Sequence, residues 1–262
     1  MHRLLVLAAV SGCATPDIPA LQAGTGSVSL SRSSYAAPAF QGTGVAYAQF
    51  TDSVANLSSC RASATFGSCV VRTHCEDTRD PITFFSAGEI TFENTTSPVT
   101  LTPRSIGGYD GMGIADGRLF DPATMLAAHA VGADVPPFDL SLKSPESMTG
   151  VSPALTTHNE FLRTSDLVFT WMGVTQGSVS VSIVDGIDDV SSITCAFVGA
   201  DGAGRVPASA LAFYDDDGGR VLVEAYAAVS TTLDVWTVQF SVGADAVWAD
   251  GSIGQQNFFF VN

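Results

Sequence analysis

The chain has 262 residues, of which 46% are hydrophobic and 14% are charged, a balance typical of a globular protein with a sizeable core. It carries 11 Lys and Arg against 26 Asp and Glu, a formal net charge of −15, and Lys143 is its single lysine. This charge excludes nucleic acid as a ligand, because neutralising phosphates requires clustered basic side chains.

The N-terminus has the pattern of an export signal. A positive charge at Arg3 is followed by an apolar run over residues 4–10 and by the small residues Ser11 and Gly12. Residues 10–13 resemble the lipobox of bacterial lipoproteins, in which the cysteine is acylated and becomes the new N-terminus. We therefore expect residues 1–12 to be a signal peptide and Cys13 to be the lipid attachment site. An ordinary signal peptide with an incidental cysteine, and a buried N-terminal strand, are the alternatives.

Residues 13–43 are predicted to form a flexible tether behind this anchor. The segment consists mainly of Ser, Gly, Ala, Thr and Pro, with scattered hydrophobic residues and no sustained period. About 30 such residues have a root-mean-square reach of roughly 30 Å, enough to hold a folded domain away from lipid headgroups. We expect a membrane-anchored lipoprotein of the cell envelope, in the outer membrane, facing either the periplasm or the cell surface.

The rest of the chain, residues 44–262, is dominated by strand patterns. Hydrophobic residues alternate with polar ones over residues 178–183 and 236–242, as in antiparallel strands with one buried face. Further strands are predicted at residues 45–50, 66–75, 89–92, 99–101, 138–142, 167–171 and 193–197. Turns recur about every ten residues, so we predict an all-β antiparallel β-sandwich. Two packed immunoglobulin-like sandwiches, divided near residue 150 with residues 144–152 as the seam, are the alternative to one domain.

Little helix is expected. Residues 121–129 begin with Asp121, a potential cap, and Pro122, which suits a first helical position. Residues 207–214 also begin with a proline. These two short helices do not alternate with strands in the manner of a parallel α/β sheet.

Four cysteines remain once Cys13 is assigned to lipid, namely Cys60, Cys69, Cys75 and Cys195. An even number in an exported chain predicts two disulfides. If residues 66–75 form one strand, Cys69 and Cys75 lie about 20 Å apart, whereas a disulfide needs Cα atoms within about 7 Å. Both remaining pairings join Cys195 to the early hairpin, and we favour Cys60 with Cys69 and Cys75 with Cys195.

Several short motifs of the predicted domain follow one another in a set order. They are Cys60, Gly67-Ser68-Cys69, Cys75, Val135-Pro136-Pro137-Phe138, residues 167–171, Thr194-Cys195-Ala196-Phe197 and Val206-Pro207-Ala208. In this order they resemble a family of uncharacterised lipoproteins of Gram-negative soil bacteria, over most of the chain beyond Gly44. The resemblance implies export and an all-β fold, and it implies nothing about chemistry because that family has no assigned activity.

Catalytic motifs are missing from the sequence. No G-x-S-x-G pentapeptide occurs, and His74, His129 and His158 are isolated from one another. We therefore expect a protein that is not an enzyme and that uses no cofactor.

Acidic residues cluster at two places, Asp185 with Asp188 and Asp189, and residues 215–217. Calcium takes six to eight oxygen ligands from such loops, but neither cluster has the alternating spacing of a calcium loop. A metal site over residues 74–77 is also disfavoured, because adjacent strand residues face opposite ways. We therefore predict no metal site.

These observations predict a non-catalytic binding or structural module of the cell envelope, whose partners are the membrane and an unknown protein or glycan. A carbohydrate-binding or adhesive module is the first alternative, with exposed aromatic side chains stacking on sugar rings. The candidate aromatic residues are Tyr109, Tyr214, Trp248 and Phe258. A hydrolase with a dispersed, unrecognised site is the second alternative.

Overall fold

The protein is all-β, as the alternating sequence pattern predicts. The computed structural model describes residues 24–33, 43–51, 59–76, 83–105, 108–109, 112–114, 119–153, 160–185, 190–214, 218–253 and 256–261. Within these ranges the chain forms strands joined by turns, one 3-10 turn at Gly199–Asp201 and one short α-helix, α1, at Ala208–Phe213.

The strands are numbered in chain order. The first nine are β1 (Gly24–Ser33), β2 (Thr43–Thr51), β3 (Ser59–Phe66), β4 (Cys69–Glu76), β5 (Ile90–Glu93), β6 (Val99–Leu101), β7 (Met112–Ile114), β8 (Met125–Ala130) and β9 (Phe138–Lys143). The others are β10 (Thr149–Ser152), β11 (Glu160–Leu162), β12 (Leu167–Met172), β13 (Ser178–Asp185), β14 (Val190–Val198), β15 (Ala203–Val206), β16 (Gly218–Leu233), β17 (Trp236–Asp245) and β18 (Gln256–Val261).

These strands form one large sheet and two small ones. The large sheet has eleven strands in the order β3-β4-β14-β13-β16-β17-β1-β2-β7, with β18 paired to β16 and β11 paired to β18. The small sheets have the orders β6-β5-β8-β9 and β10-β12-β15. Neighbours are antiparallel except for β1 with β17 and β11 with β18, which are parallel.

Two hydrophobic cores lie between the large sheet and the small ones. The first core joins β1, β2 and β17 to the four-stranded sheet, and we call this unit the first sandwich. The second core joins β4, β13, β14 and the start of β16 to the three-stranded sheet and α1, and we call this unit the second sandwich. The large sheet therefore serves both sandwiches.

Strand β16 passes from one core to the other. Val223 and Ala225 are buried in the second core, whereas Ala227 and Val229 pack against the first. All four have the same parity along a strand whose pairing with β17 has no register shift. Because side chains alternate between the two faces of a strand, both cores lie on one face of the large sheet, and its opposite face is the outer face.

The two sandwiches are not consecutive halves of the sequence. Strands β3 and β4 precede residue 150 but belong to the second sandwich, and β17 follows it but belongs to the first. The chain crosses between the cores over residues 143–148, from Leu142 in the first core to Met148 in the second.

The prediction of a flexible tether over residues 13–43 is wrong for residues 24–33, which form β1 between β17 and β2. Val28 and Leu30 are buried in the first core. A Cβ atom on Gly24 or Gly26 would lie within 2.5 Å of the ring of Trp236 or Phe50, so these glycines make room for aromatic side chains. Their linker-like composition therefore belongs to a strand with small inward residues. The rest of the predicted tether before Thr43, residues 13–23 and 34–42, lies outside the described residues.

One of the two helix predictions is confirmed. Helix α1 occupies Ala208–Phe213, inside the predicted range 207–214. The helix predicted at residues 121–129 is wrong, because Met125–Ala130 form β8 between β5 and β9. The apolar residues there, Leu126, Ala128 and Ala130, are spaced by two and are all buried, which is the period of a strand.

All four cysteines of the folded domain form disulfides, but the favoured pairing is wrong. Cys60 pairs with Cys75, and Cys69 pairs with Cys195. Residues 66–75 are not one strand, because the chain turns at Gly67, whose φ is +61°, and so separates β3 from β4. This hairpin places Cys60 opposite Cys75, while β14 places Cys195 opposite Cys69.

Candidate binding surface

The aromatic residues predicted to stack on sugar rings belong to the cores. Tyr109 packs in the first core, and Tyr214 and Trp248 pack in the second. Phe258 lies in β18, but its side chain is outside the described part of the protein. The three described residues are therefore wrong as a binding platform, because their rings do not reach solvent.

Tyr109 illustrates the structural role of these rings. Its hydroxyl accepts a hydrogen bond from Ala87 N at 2.8 Å and donates one to Gly88 O at 2.7 Å. Burial raises the pKa of the Tyr109 hydroxyl, although its hydrogen bonds act in the opposite direction. The phenol therefore stays protonated and fixes the loop before β5.

The two acidic clusters of the sequence lie mostly outside the described residues. Asp185 ends β13, whereas Asp188, Asp189, residues 215–217 and His158 lie outside the described ranges, as does the predicted lipid site Cys13. Among the residues that the structure does describe, no group of three or more His, Cys, Asp and Glu side chains is placed to hold a metal ion. None of the described helices is long and apolar enough to cross a membrane.

His129 lies between two carboxylates on the outer side of the four-stranded sheet. Its Nδ1 atom is 2.5 Å from Asp139 Oδ1, and its Nε2 atom is 3.5 Å from Glu93 Oε1. The hydrogen bond to Asp139 is the main reason why the pKa of His129 is raised. This cluster forms a partly exposed ion pair that favours the imidazolium form.

The outer face of the large sheet carries four rows of side chains across β2, β1, β17 and β16. The first row is Thr51, Thr25, Thr237 and Thr232, and the second is Gln49, Ser27, Gln239 and Ser230. The third is Tyr47, Ser29, Ser241 and Ala228, and the fourth is Val45, Ser31, Gly243 and Tyr226. We call this set of residues the hydroxyl face, since most of its members carry a hydroxyl or an amide group.

Eight of the sixteen members of the hydroxyl face are exposed to solvent, seven are half-buried, and Thr51 at its corner is buried. Thr25, Ser27, Thr237, Gln239 and the outward residues of β16 from Ala228 to Thr232 are exposed. Tyr47 is 38% exposed, although it is an aromatic residue, and its hydroxyl donates a hydrogen bond to Gln49 Oε1 at 2.5 Å. The inward residues of the same strands, such as Val28 and Phe240, fill the first core. The polar residues therefore occupy the face that the core does not need.

No member of the hydroxyl face is charged, in a chain whose net charge is −15. Charges begin at one end of it, where Glu224 of β16 lies opposite Asp245 of β17. Burial, followed by the charge and the hydrogen bond of Asp245, raises the pKa of Glu224 to about 7. The Glu224 carboxyl group is therefore partly protonated near neutral pH, so this end of the face carries less negative charge than two free carboxylates would.

Two small clefts lie where the chain crosses between the sandwiches. A cleft of about 60 Å³ lies beside Arg32, Met148 and Asp245, and another of about 110 Å³ lies beside Lys143 and Gln176. Glu146, which borders both, accepts hydrogen bonds from the backbone N and the hydroxyl of Thr175. Both clefts are far smaller than the several hundred Å³ of a typical small-molecule site.

The sequence shows part of the hydroxyl face. Alternation over residues 236–242 predicts that Thr237, Gln239 and Ser241 face away from the core, as they do. Ser and Thr also alternate with inward residues in β1, but the composition of that segment predicts a tether rather than a strand. Only the parallel pairing of β1 with β17 brings the two sets of hydroxyl groups side by side.

No protein-family model matches the chain, and no curated protein matches it. Solved structures that match include a 1.5-MDa bacterial ice-binding adhesin described for its retention on the host cell surface, at 11% identity over 86% of this chain and 65% of that one, with a TM-score of 0.21. They also include a Ca²⁺-stabilised adhesin with which an Antarctic bacterium binds ice, at 13% identity over 86% of this chain and 49% of that one, with a TM-score of 0.18. The chain spans less than two thirds of the length of either structure. At these TM-scores the likeness assigns no function.

Proposed function

We propose that the protein is an exported, non-catalytic binding module of the cell envelope, and that the hydroxyl face is its binding surface. The observation that carries the proposal is this uncharged set of side chains, half of which are exposed to solvent, on an otherwise strongly acidic chain. The charged residues that keep an acidic protein apart from other molecules are missing there, which favours contact with a ligand.

Export is supported by the cysteines. Disulfides form and persist in oxidising compartments and are rare in the cytosol, and here all four cysteines of the domain are paired. The signal-like N-terminus points to the same compartments, and acylation at Cys13 would hold the domain on a membrane. We place the anchored protein in the outer membrane.

An open sheet face suits an extended ligand better than a small molecule. A pocket buries most of a small ligand, whereas the hydroxyl face presents a broad array of donors and acceptors without enclosing walls. A hydrolase needs groups that converge on one reacting bond, and the described clefts are too small to enclose a substrate. We therefore favour binding over catalysis.

The binding surface is tested with charge insertion. The full chain, purified in detergent, is sedimented with peptidoglycan sacculi and with outer-membrane vesicles from a Gram-negative host. We expect co-sedimentation with one of these envelope fractions, and its loss in the double variant Ser27→Asp with Gln239→Asp. The matched control is Thr170→Asp, an exposed polar residue of β12 in the three-stranded sheet. No co-sedimentation with either fraction, or equal binding by the double variant, would contradict the proposal.

The lipid anchor is tested separately. Cells that express the full chain with its own N-terminus are labelled with radioactive palmitate. We expect label in the wild type and in the control Ser11→Ala, which keeps a small residue before the cysteine, and none in Cys13→Ala. Equal labelling of Cys13→Ala would overturn the anchor and leave the binding surface unaffected.

A further inference from the structure

The hydroxyl face offers hydrogen bonds of both kinds at every row. Ser and Thr hydroxyls each donate one hydrogen bond and accept others, and Gln amides also do both. A ligand that matches this surface presents donors and acceptors in close alternation and carries no charge. Neutral sugars have this chemistry, because each ring carries several hydroxyl groups.

The face also provides a site for ring stacking. The hydrogen bond from Tyr47 to Gln49 Oε1 ties the phenol to its own strand and restrains the ring in its exposed position. In the adjacent row Tyr226 lies opposite Gly243, which has no side chain to fill the space beside it. A Cβ atom on Gly243 would approach only Glu224 Oε1, at 3.8 Å, so there is open space at this point. Aromatic rings with a polar tip suit the apolar faces and hydroxyl edges of sugars.

Charge and composition distinguish a neutral glycan from other extended ligands. A net charge of −15 repels anionic polymers, and the face has no Lys or Arg side chain to attract them. Protein interfaces are enriched in large aromatic residues, Met and Arg and are depleted in Ser, whereas this face consists mainly of Ser, Thr and Gln. A neutral polysaccharide therefore fits better than a protein or an acidic polymer.

The dimensions of the face suit a polymer. Four strands about 4.8 Å apart span roughly 14 Å, and four rows about 6.7 Å apart span roughly 20 Å. This area accommodates several sugar rings in succession. A single sugar would contact only a small part of it.

We propose that the hydroxyl face binds a neutral polysaccharide, with a sugar ring stacked on Tyr47 and neighbouring rings hydrogen-bonded to the Ser, Thr and Gln rows of β1, β17 and β16. The proposal rests on the binding surface proposed above and specifies the class of its ligand.

The full chain in detergent is tested for retention on neutral polymers of stated composition. The probes are insoluble cellulose and chitin, assayed by sedimentation, and dextran and galactomannan, assayed by affinity electrophoresis. Alginate serves as the anionic comparison. We expect binding to at least one neutral polymer and none to alginate.

Three variants test whether that binding uses the hydroxyl face. Tyr47→Ala removes the stacking ring and is expected to weaken retention about tenfold, whereas Tyr47→Phe keeps the ring and is expected to stay within about threefold of the wild type. The double variant Ser27→Asp with Gln239→Asp is expected to abolish retention, and Thr170→Asp is the matched control. Far-ultraviolet circular dichroism establishes that each variant is folded before it is assayed.

Failure of this inference can be distinguished from failure of the binding surface itself. Absence of retention on all four neutral polymers, equal binding to alginate, or full binding by Tyr47→Ala would overturn the neutral polysaccharide as ligand. If the wild type still co-sediments with an envelope fraction and the double variant does not, the binding surface is correct and only the ligand class is wrong. If the double variant changes neither assay, both proposals fail.

Discussion

The two sandwiches share the large sheet but are held together in different ways. The first is built around aromatic packing, and the centroid of the Phe50 ring lies within 6.4 Å of the ring centroids of Tyr109, Phe138 and Trp236. The second contains both disulfides, which join β3 to β4 and β4 to β14. Its aromatic residues lie at two places, because Phe169 and Trp248 pack at the three-stranded sheet, whereas Phe66 of β3 packs against Phe213 of α1.

This difference follows from the position of the β3–β4 hairpin. The hairpin is at the end of the large sheet, where the inward face of β3 carries two small residues, Ala62 and Ala64, and one large one, Phe66, whose ring packs against Phe213 of α1. The two alanines bury little apolar area, so hydrophobic burial along most of β3 contributes less than in the centre of the sheet. The disulfides constrain a hairpin whose outer strand has only one large apolar contact, at Phe66.

Loss of the long-range disulfide should destabilise the protein most. Replacing Cys69 and Cys195 by Ala removes a cross-link between residues 126 apart and should lower the free energy of unfolding by about 5 kcal/mol. Replacing Cys60 and Cys75, which are 15 apart, should cost about 3 kcal/mol by the same chain-entropy reasoning. Guanidinium unfolding followed by circular dichroism measures both, and equal losses would show that loop length does not set the effect.

Removal of the central aromatic ring of the first sandwich should have the second largest effect on stability. Phe50→Ala is expected to lower the free energy of unfolding by about 4 kcal/mol, because it leaves a cavity among three rings. Phe50→Leu, which keeps an apolar side chain, is the control with a smaller loss. Fluorotryptophan NMR separates the cores, since Trp236 belongs to the first and Trp171 and Trp248 to the second. An equal shift of the unfolding midpoint at the signals of all three tryptophans would mean that the two sandwiches unfold as one unit.

The shared strand provides a third test. The pKa of Glu224 is about 7 in the folded chain, against 4.5 for an ordinary Glu, so folding favours its protonated form. The free energy of unfolding should therefore fall as pH rises from about 4.5 to about 7, by at most about 3 kcal/mol. Glu224→Gln, which cannot ionise, should remove this decline and be more stable than the wild type at pH 8. Guanidinium unfolding of both proteins at a series of pH values measures the free energy of unfolding. The same pH dependence in the wild type and in Glu224→Gln would contradict the raised pKa.

The smallest effect is expected at His129, on the exposed side of the first sandwich. The pKa of His129 is raised in the folded protein, so its ion pair with Asp139 stabilises the fold. The full stabilisation is present below pH about 6.5, the pKa of an unperturbed His, and is lost as pH rises through the pKa of the folded state. Since the pair is partly exposed, it contributes only about 0.2–1 kcal/mol. Asp139→Asn should lower the pKa of His129 in an NMR titration, whereas Asp121→Asn should not. An unchanged pKa of His129 in Asp139→Asn would show that Asp139 does not raise it.

Local sequence patterns are enough to assign the class of fold and nine of the eighteen strands of the described residues and to predict that the cysteines pair, but they miss β16, the strand that both sandwiches share. Period-two alternation is a local property, so segments such as 178–183 and 236–242 could be assigned without knowledge of their partners. The even cysteine count likewise predicted disulfides. The composition of residues 24–33 predicts a flexible tether, and this prediction is wrong because the glycines of β1 make room for the rings of Trp236 and Phe50.

Which elements contact one another is set by pairing between distant parts of the chain. The disulfide partners depend on a turn at Gly67 and on β14 pairing with β4, more than a hundred residues away in the sequence. The hydroxyl face likewise exists because β1 pairs with β17 in parallel, which no local pattern specifies. Burial of Tyr109, Tyr214 and Trp248 was decided in the same way. Contacts between distant strands depend on register and packing, and a single sequence encodes these only through the complete fold.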